Sequence, residues 1–397
     1  SSKVCAVIAN YNPGENQIEI LGSAEEECSG IKHGVVVNIE NTSKAINRAI
    51  ENAEKESQIK VKDVIVNING HHIEGHRHQA AATIPRTDRE ITSEDVDRVI
   101  SSARAVPLSS DRQIIHAIPL DFKVDNQGGV EYPVGMEGNH LEVDVMLITG
   151  YGAPISNLDK CITRSGLGIK SSVAAGLAPS QTVVAKEEKD LGCLLVDIGA
   201  QTLNLAVFIG GSIDYISEVD IGADYITNDL AFGLRTSFSE AKKIKETYGS
   251  AISDSSLETE IKYMGVDGQT SSTTSTKEVN SIIEPRVADF IDYISDEISK
   301  SGQKDLLPGG IILSGGGAEL KGIDAAIKNK LNEYQVRIGR PRYIAGKVEN
   351  TNSPRFATAV GLIEYVINAD KTLGMQGSMN QRGGFFAKLK SVFEEMF

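Results

Sequence analysis

The sequence contains no tryptophan and only four cysteines in 397 residues. Cys5, Cys28, Cys161 and Cys193 are scattered, and no C-x-x-C pair occurs. This excludes a disulfide framework and the usual thiolate zinc sites, and it reads as reduced thiols in a cytosolic protein. Basic residues are also scarce, 40 Lys and Arg against 54 Asp and Glu, for a net charge of −14. An acidic surface repels a phosphate backbone, and no basic patch interleaved with aromatics appears, so no nucleic-acid partner is expected. No apolar run is long enough to span a bilayer, and no signal-peptide pattern stands at the start. The pattern G-x-x-x-x-G-K-[ST] is absent, which excludes a P-loop, and without G-x-S-x-G Ser314 is a poor nucleophile.

What is present is ordinary globular composition, 40% hydrophobic and 24% charged, in a chain long enough for two or three domains. Strand-like runs at 4–9, 18–22, 61–68, 114–118, 143–148 and 311–313 alternate with helical stripes at 41–57, 91–103, 155–165, 221–232, 237–248, 279–300, 322–331 and 354–367. Thr92 or Ser93 caps the second helix, and 267–278 is a polar hairpin or loop. Strands alternating with helices predict α/β layers with partly parallel sheets.

The stretch GCLLVDIGAQTLNLAVFIGGSIDYI, 192–216, is an apolar strand, an Asp-Ile-Gly turn and a second strand. A tight turn of this kind points successive N–H groups into one concavity suited to phosphate oxygens. Gly199 and Ala200 allow close approach, Gln201 and Thr202 add short polar groups, and Asp197 can hold water on Mg²⁺. An ordinary hairpin turn would use the same residues. The opening SSKVCAVIANYNPGENQIEILG repeats the plan, with Ser1, Ser2 and Lys3 falling on Ala200, Gln201 and Thr202. The chain begins almost inside a strand, which implies that an Asp-x-Gly and other upstream residues are absent. A repeat of this sort suggests two similar halves facing a cleft, unless two hairpins merely look alike. A second glycine cluster, GIILSGGGAEL at 310–320, is a strand, three glycines and a helix; it can lie flat against a nucleotide or simply make a tight junction.

Asp197-Ile-Gly-Ala-Gln-Thr, then IGADYITNDLA (221–231), SEAKKIKETYG (239–249), ILSGGGAELKGI (312–323) and ATAVGLIEY (357–365) follow the order of the actin-like ATPases. They resemble phosphate loop two, the nucleotide-cleft helices, the adenosine loop and the second connecting helix. More narrowly, PRTDREITSEDVDRVISSARAV, HAIPLDFKVD, YPVG, IIEPRV and the C-terminal tail are similar to the FtsA family of bacterial division proteins, and the resemblance runs from end to end. It implies an α/β actin-like ATPase fold: duplicated ribonuclease-H-like halves around a nucleotide cleft, an inserted 1C subdomain and a C-terminal amphipathic helix. The implied parts are 1A at 1–69 and 146–190, 1C at 70–145, 2A at 191–229 and 301–367 (with a return to 1A) and 2B at 230–300. A linker at 368–384 and a membrane-targeting helix at 385–397 follow.

The resemblance also implies ATP and Mg²⁺ as ligands. Gly199, Ala200, Gln201, Thr202 and the remnant Ser1, Ser2 and Lys3 would line the phosphates, with Asp197 near the metal. Gly222 belongs to the same cleft. Glu240 and Lys243 would approach the ribose and base, and Gly315, Gly316 and Gly317 would back the adenosine. Hydrolytic relatives carry Gln or Glu on the first connecting helix; here that helix reads SSVAAGLAPSQ, with Ala175 at the matching position and Gln181 too far along, so weak or absent turnover is expected. Partners would be the C-terminal peptide of the tubulin-like protein FtsZ, through Ile282, Ile283 and Arg286 on 2B, further copies in actin-like filaments, other division proteins and the membrane. The isoleucines could equally be core.

The tail is legible without the resemblance. Residues 368–384 are polar and glycine-rich. In FFAKLKSVFEEMF, Phe385, Phe386, Leu389, Val392, Phe393, Met396 and Phe397 fall within an arc of about 140°, with Lys388 and Lys390 at its edges. Such a helix lies in a membrane interface, unless it docks on the body. His72, His76 and His78 share a face if extended, a spacing that could ligate metal, although a solvated strand edge is the ordinary reading. The expected location is the cytoplasmic face of the inner membrane at the division septum, where the protein would tether the FtsZ ring. Competing readings are an FtsA-like pilus-assembly protein, a small-metabolite kinase, for which no candidate base is found, and a nucleotide-driven chaperone.

Overall fold

A computed structural model describes residues 2–84, 90–252, 258–342, 344–347 and 351–377, with side chains to residue 368. Ser1 and the segment 385–397 lie outside the described residues.

In the first half, alternating apolar residues make β1 (Lys3–Asn12) and β2 (Gln17–Glu27) an antiparallel pair, with Ile18 and Ile20 buried. A short hairpin, β3 (Ile31–Lys32) and β4 (Val35–Val36), turns through His33 and Gly34, both at positive φ (44° and 76°), as a two-residue hairpin of matching twist requires. Asn38 caps α1 (Ile39–Ser57) by accepting the Asn41 N–H at 2.9 Å. Ala45, Ile46, Ala49 and Ala53 form the buried stripe of α1. β5 (Asp63–Ile68) follows.

An inserted unit then builds its own layer pair. β6 (Glu74–Thr83), α2 (Ser93–Arg104), β7 (Arg112–Val124), β8 (Gln127–Val130) and β9 (His140–Tyr151) form an antiparallel sheet of order β6-β9-β7-β8. Val99 and Ile100 of α2 pack against Leu141, Val143, Val145 and Leu147. Thr92 caps α2, and its N–H donates to Asp95 Oδ2 at 3.0 Å. The chain returns through α3 (Gly152–Arg164), β10 (Gly168–Ala174), parallel to β5, and α4 (Ala178–Val183).

The second half contains α5 (Lys186–Leu191), β11 (Cys193–Ile198), β12 (Leu203–Ile209), β13 (Ser212–Val219), α6 (Ala223–Gly233) and α7 (Phe238–Tyr248). A hairpin of β14 (Glu260–Met264) and β15 (Ser271–Ser275) leads into α8 (Thr276–Ser301), then β16 (Ile311–Ser314), α9 (Ile323–Lys330) and β17 (Val336–Ile338). Its sheet runs β13-β12-β11-β16-β17. One face, through Val196, Ile198 and Leu205, packs on Ile283 and Phe290 of α8; the other, through Leu195, Ala206 and Phe208, packs on Ala178 and Val183 of α4. β18 (Ile344–Gly346) returns to pair with β2, and α10 (Ala357–Gly377) crosses α4.

Three expectations change. The segment expected as the first connecting helix is half strand: Ser171–Ala174 belongs to β10 and only Ala178–Val183 is helical. The β-branched Val173 and parallel pairing to β5 outweigh the alanines. Ala175 therefore sits in the turn, its N–H bonded to Ile68 O at 2.8 Å. α10 continues to Gly377, ten residues into the expected linker, because Ala369, Lys371, Leu373, Met375 and Gln376 are good helix formers among weaker neighbours. Finally, β6, β8, β17 and β18, short or polar, are absent from the sequence reading as strands in their own right.

Candidate functional site

A cleft of about 2350 Å³ opens between the halves, lined from β1, β5, the turn after β11, α6, α7, the turn after β16 and α10. Its floor is a row of polar residues in register across four strands. Ser314 lies opposite Asp197, Asp197 opposite Asn204, and Asn204 opposite Glu218. Opposed residues share a face, so the pairing itself assembles the row. Ser314 Oγ donates to Asp197 Oδ1 at 2.8 Å, and Asn204 also bonds that carboxylate. Burial pushes the Asp197 carboxyl up, against these two bonds.

Two glycine turns meet over this row. Gly315 takes φ +80°, and a Cβ there would lie 2.5 Å from Ile198 O and 2.8 Å from Asp197 Oδ1. A Cβ on Gly317 would lie 2.2 Å from Ile198 Cγ2. Only Gly316 is open, its nearest neighbour Arg355 Cβ at 3.9 Å. Close approach to β11 thus accounts for the first and third glycines, and the middle one presents bare backbone to the cleft.

The turn after β11 is held from behind by α6. Gly199 N–H closes the turn onto Thr202 O at 2.8 Å, while Gly199 O and Ala200 O accept the Ala223 and Asp224 N–H groups at 2.9 and 2.7 Å. Gly222 does not line the cleft; it lets α6 press on the turn, since a Cβ would meet Ala200 C and Gln201 N at 2.6 Å. Lys245 ties α7 to this point through Ala223 O (2.9 Å) and Thr227 Oγ1 (2.7 Å).

Gln201 and Thr202 reach across the cleft. Gln201 Oε1 accepts the His33 N–H at 2.9 Å, and Thr202 Oγ1 accepts from Asn69 Nδ2 at 3.3 Å. Beside them Glu218 Oε2 accepts the Gly70 N–H at 2.8 Å, and Asp220 faces His71 (3.3 Å) and His33 (3.9 Å). Burial, with Asp220 and Asp197 adding like charge, pushes the Glu218 carboxyl up to about 8. His33, Asn69, Gly70, Glu218 and Asp220 are absent from the sequence reading. Asn204 and Glu218 do carry a signal, being polar residues in apolar strands, but nothing local says what faces them.

Other expected residues scatter. Ser2 and Lys3 line the cleft, but Lys3 Nζ bonds Glu25 and lies 6.0 Å from the Phe356 ring. Lys243 lines the cleft with an exposed side chain, whereas Glu240 does not line it and pairs with Lys243 at 3.6 Å. Ile283 is fully buried in the core and cannot meet a peptide. Its place on the α8 face turned towards the sheet decides this, in one buried stripe with Val279, Val287 and Phe290. Ile282 is half-buried against Gly233, and Arg286 forms a two-point pair with Asp229 (2.7 and 3.1 Å) and reaches Asp289 at 3.0 Å. Gln181 faces a second groove, against the inserted unit, away from the cleft. His72 is buried, stacked on Tyr151 at 5.8 Å, and accepts the Tyr151 N–H at 3.1 Å, apart from His76 and His78 on β6; no metal-holding cluster of His, Cys, Asp and Glu occurs among the described residues.

Residues 194–361 match the family model for cell division protein FtsA, and residues 70–149 match the SHS2 domain inserted in FtsA. The cell division protein FtsA of Neisseria meningitidis serogroup B is 35% identical over 100% of this chain and 97% of its own. Among solved structures, the PilM-PilN type IV pilus biogenesis complex aligns with a TM-score of 0.65 at 18% identity, over 91% of this chain and 94% of that one. MreB5 of Spiroplasma citri bound to ADP aligns with a TM-score of 0.51 at 12% identity, over 96% and 91%. These likenesses give an actin-like ATPase fold with an inserted SHS2 domain.

Proposed function

The chain belongs to the FtsA family of cell division proteins, and from that premise we propose that it is an ATP-binding scaffold that joins the FtsZ ring to the membrane. The observation that carries the nucleotide reading is the meeting of the Asp197 turn with the Gly315–Gly317 turn at the cleft floor. A triphosphate would lie along Gly199–Thr202 and an adenosine against Gly316. The fit to Mg²⁺ is chemical: Asp197 is a buried carboxylate whose charge is costly alone, and a hydrated divalent cation offsets that cost. Mg²⁺ would supply charge neutralisation of the phosphates; this chain's residues bind and orient them.

Turnover would be slow. Ala175 offers neither carboxylate nor amide, and Gln181 faces away from the cleft. ATP then acts as a ligand that holds the halves together. The boundaries of 1A, 1C, 2A and 2B follow from the same reading, with 1C as the inserted SHS2 domain. Filament formation belongs to this proposal too, as does recruitment of other division proteins at the septum.

Membrane attachment would come from Phe385–Phe397, since the net charge of −14 disfavours adsorption of the body to anionic lipid. The FtsZ peptide would use the α6–α8 surface at Ile282 and Arg286. The test is co-sedimentation of the chain with liposomes, with and without ATP and an FtsZ tail peptide. Recruitment of the peptide to lipid only by the chain retaining 385–397 is expected. Undiminished lipid binding after removal of 385–397, or no ATP binding, sinks the corresponding part.

A further inference from the structure

The inserted unit is held by both halves of the molecule. The chain joins it to the first half at β6 and β9, and there His116 of β7 accepts the Ala174 N–H at 3.0 Å. On the second half its neighbour is β13, the edge strand of the sheet. Alternate residues of a strand share a face. Asp214, Ile216 and Glu218 of β13, with Asp220 just beyond it, meet the segment 70–77, which runs the opposite way. Asp214 Oδ1 pairs with Arg77 at 2.9 Å, Ile216 packs on Gly75, Glu218 Oε2 accepts the Gly70 N–H at 2.8 Å, and Asp220 faces His71 at 3.3 Å. Tyr215 and Ser217 point the other way and donate to Glu297 of α8.

Ile216 is the centre of this strip. It is buried, and a Cβ on Gly75 would lie 2.6 Å from its Cγ2. A Cβ on Gly176, in the turn between β10 and α4, would lie 2.9 Å from its Cδ1. One side chain of the second half thus fills a socket made by two glycines, one from the inserted unit and one from the first half. At the outer end the Asp214 side chain is 9% exposed, and Gln303 Nε2 donates to its other oxygen at 2.8 Å. At the inner end the strip reaches the cleft floor, where Asn69 donates to Thr202.

The halves cannot part along the cleft while the inserted unit stays fixed to both. Of its two attachments, the strip is the one that can yield. The first-half attachment is covalent at both ends of the unit. β6 and β13 belong to different sheets, so no ladder of backbone bonds joins them, and Arg77 is 54% exposed. We propose that the strip is a brace that limits how far the cleft opens, so that a ligand in the cleft leaves when β13 lets go of residues 70–77. The brace stands on these contacts alone; its bearing on ATP rests on the function proposed above.

The experiment ties the strip shut. Ile216 Cβ lies 3.9 Å from the place of a Cβ on Gly75, a separation that a disulfide spans. The full chain carrying Gly75→Cys and Ile216→Cys is oxidised with glutathione disulfide, which takes up the two thiol hydrogens as it is reduced. It should then release a fluorescent ATP analogue roughly tenfold more slowly than after reduction with dithiothreitol, whereas the parent releases it equally in both states. Arg77→Glu should release it several-fold faster, and Arg77→Glu with Asp214→Lys should restore the parental rate. Amide hydrogen exchange in residues 69–73 and 199–202 reads the same brace without nucleotide: slower in the cross-linked chain, faster in Arg77→Glu. A cross-link that leaves exchange or the release of bound nucleotide unchanged overturns the proposal, as do two cysteines that fail to join. If the double-cysteine chain does not fold, the Arg77 variants decide, and exchange equal to that of the parent overturns the brace. Altered exchange without any nucleotide binding leaves the brace standing and removes ATP as the ligand.

Discussion

Ser314 donates its hydroxyl hydrogen to Asp197 over 2.8 Å in a fully buried position, joining the ends of two parallel strands that lie 117 residues apart in sequence. This bond fixes the Asp197 carboxylate at the cleft floor and seats the first glycine turn against the second. The proposed function and the packing therefore share one set of atoms, and mutations can separate them.

Asp197→Asn should cost ATP affinity roughly tenfold or more when Mg²⁺ is present and much less in EDTA, since only the carboxylate holds the cation's water. The fold should not suffer. Burial raises the Asp197 pKa, so the ionised form is the destabilised one at neutral pH, and the amide removes that cost. The melting temperature of the variant should equal or exceed that of the parent; an equal loss of stability and binding would show the residue to be structural only.

Glu218 should make stability depend on pH. Its folded pKa of about 8 lies above the ordinary glutamate value of 4.5, so its contribution is complete below about pH 4.5 and is lost as pH rises from there through 8. The parent should lose on the order of 2–4 kcal/mol between pH 5 and 9 relative to Glu218→Gln, whose amide oxygen can still accept the Gly70 N–H. Urea midpoints across that range read the difference; parallel curves would refute it.

Gly361 is where α10 crosses α4. A Cβ there would sit 1.9 Å from Ala178 O and 2.6 Å from Ala178 C, both backbone atoms that cannot rotate away. Gly361→Ala should therefore destabilise by about 2–3 kcal/mol despite the better helix propensity of alanine. Denaturant unfolding checks this, and a neutral or stabilising result would mean the two helices cross more loosely.

On the α6–α8 surface the residue proposed for peptide binding can be told apart from a packing one. Ile283→Ala empties buried volume and should cost about 3 kcal/mol, leaving peptide affinity per folded molecule unchanged. Arg286→Ala breaks a partly exposed pair with Asp229 and should cost about 1 kcal/mol or less while weakening an FtsZ tail peptide several-fold. Equal peptide affinity for the parent and Arg286→Ala, measured by fluorescence anisotropy, would remove Arg286 from the interface.

Much of the fold was legible because it depends on local pattern. The stripe in 41–57, the Thr92 cap and the apolar run ending at Asp197 each follow from period, cap chemistry or turn residues. Ser171–Ala174 misled because a short strand between alanines has no periodicity of its own, and only its parallel partner β5 decides it. Glu240 misled because its spacing puts it on the right helix but not on the wall.

The sequence by itself determined the class of the molecule: a reduced, acidic α/β chain with two glycine turns at strand ends and a greasy tail, all properties of composition and near neighbours. Only the tertiary structure decided which polar residues meet. His33, Asn69 and Gly70 face Gln201, Thr202 and Glu218 across 133 to 168 positions of sequence, and such contacts are set by how two sheets close on one another, which no local pattern records.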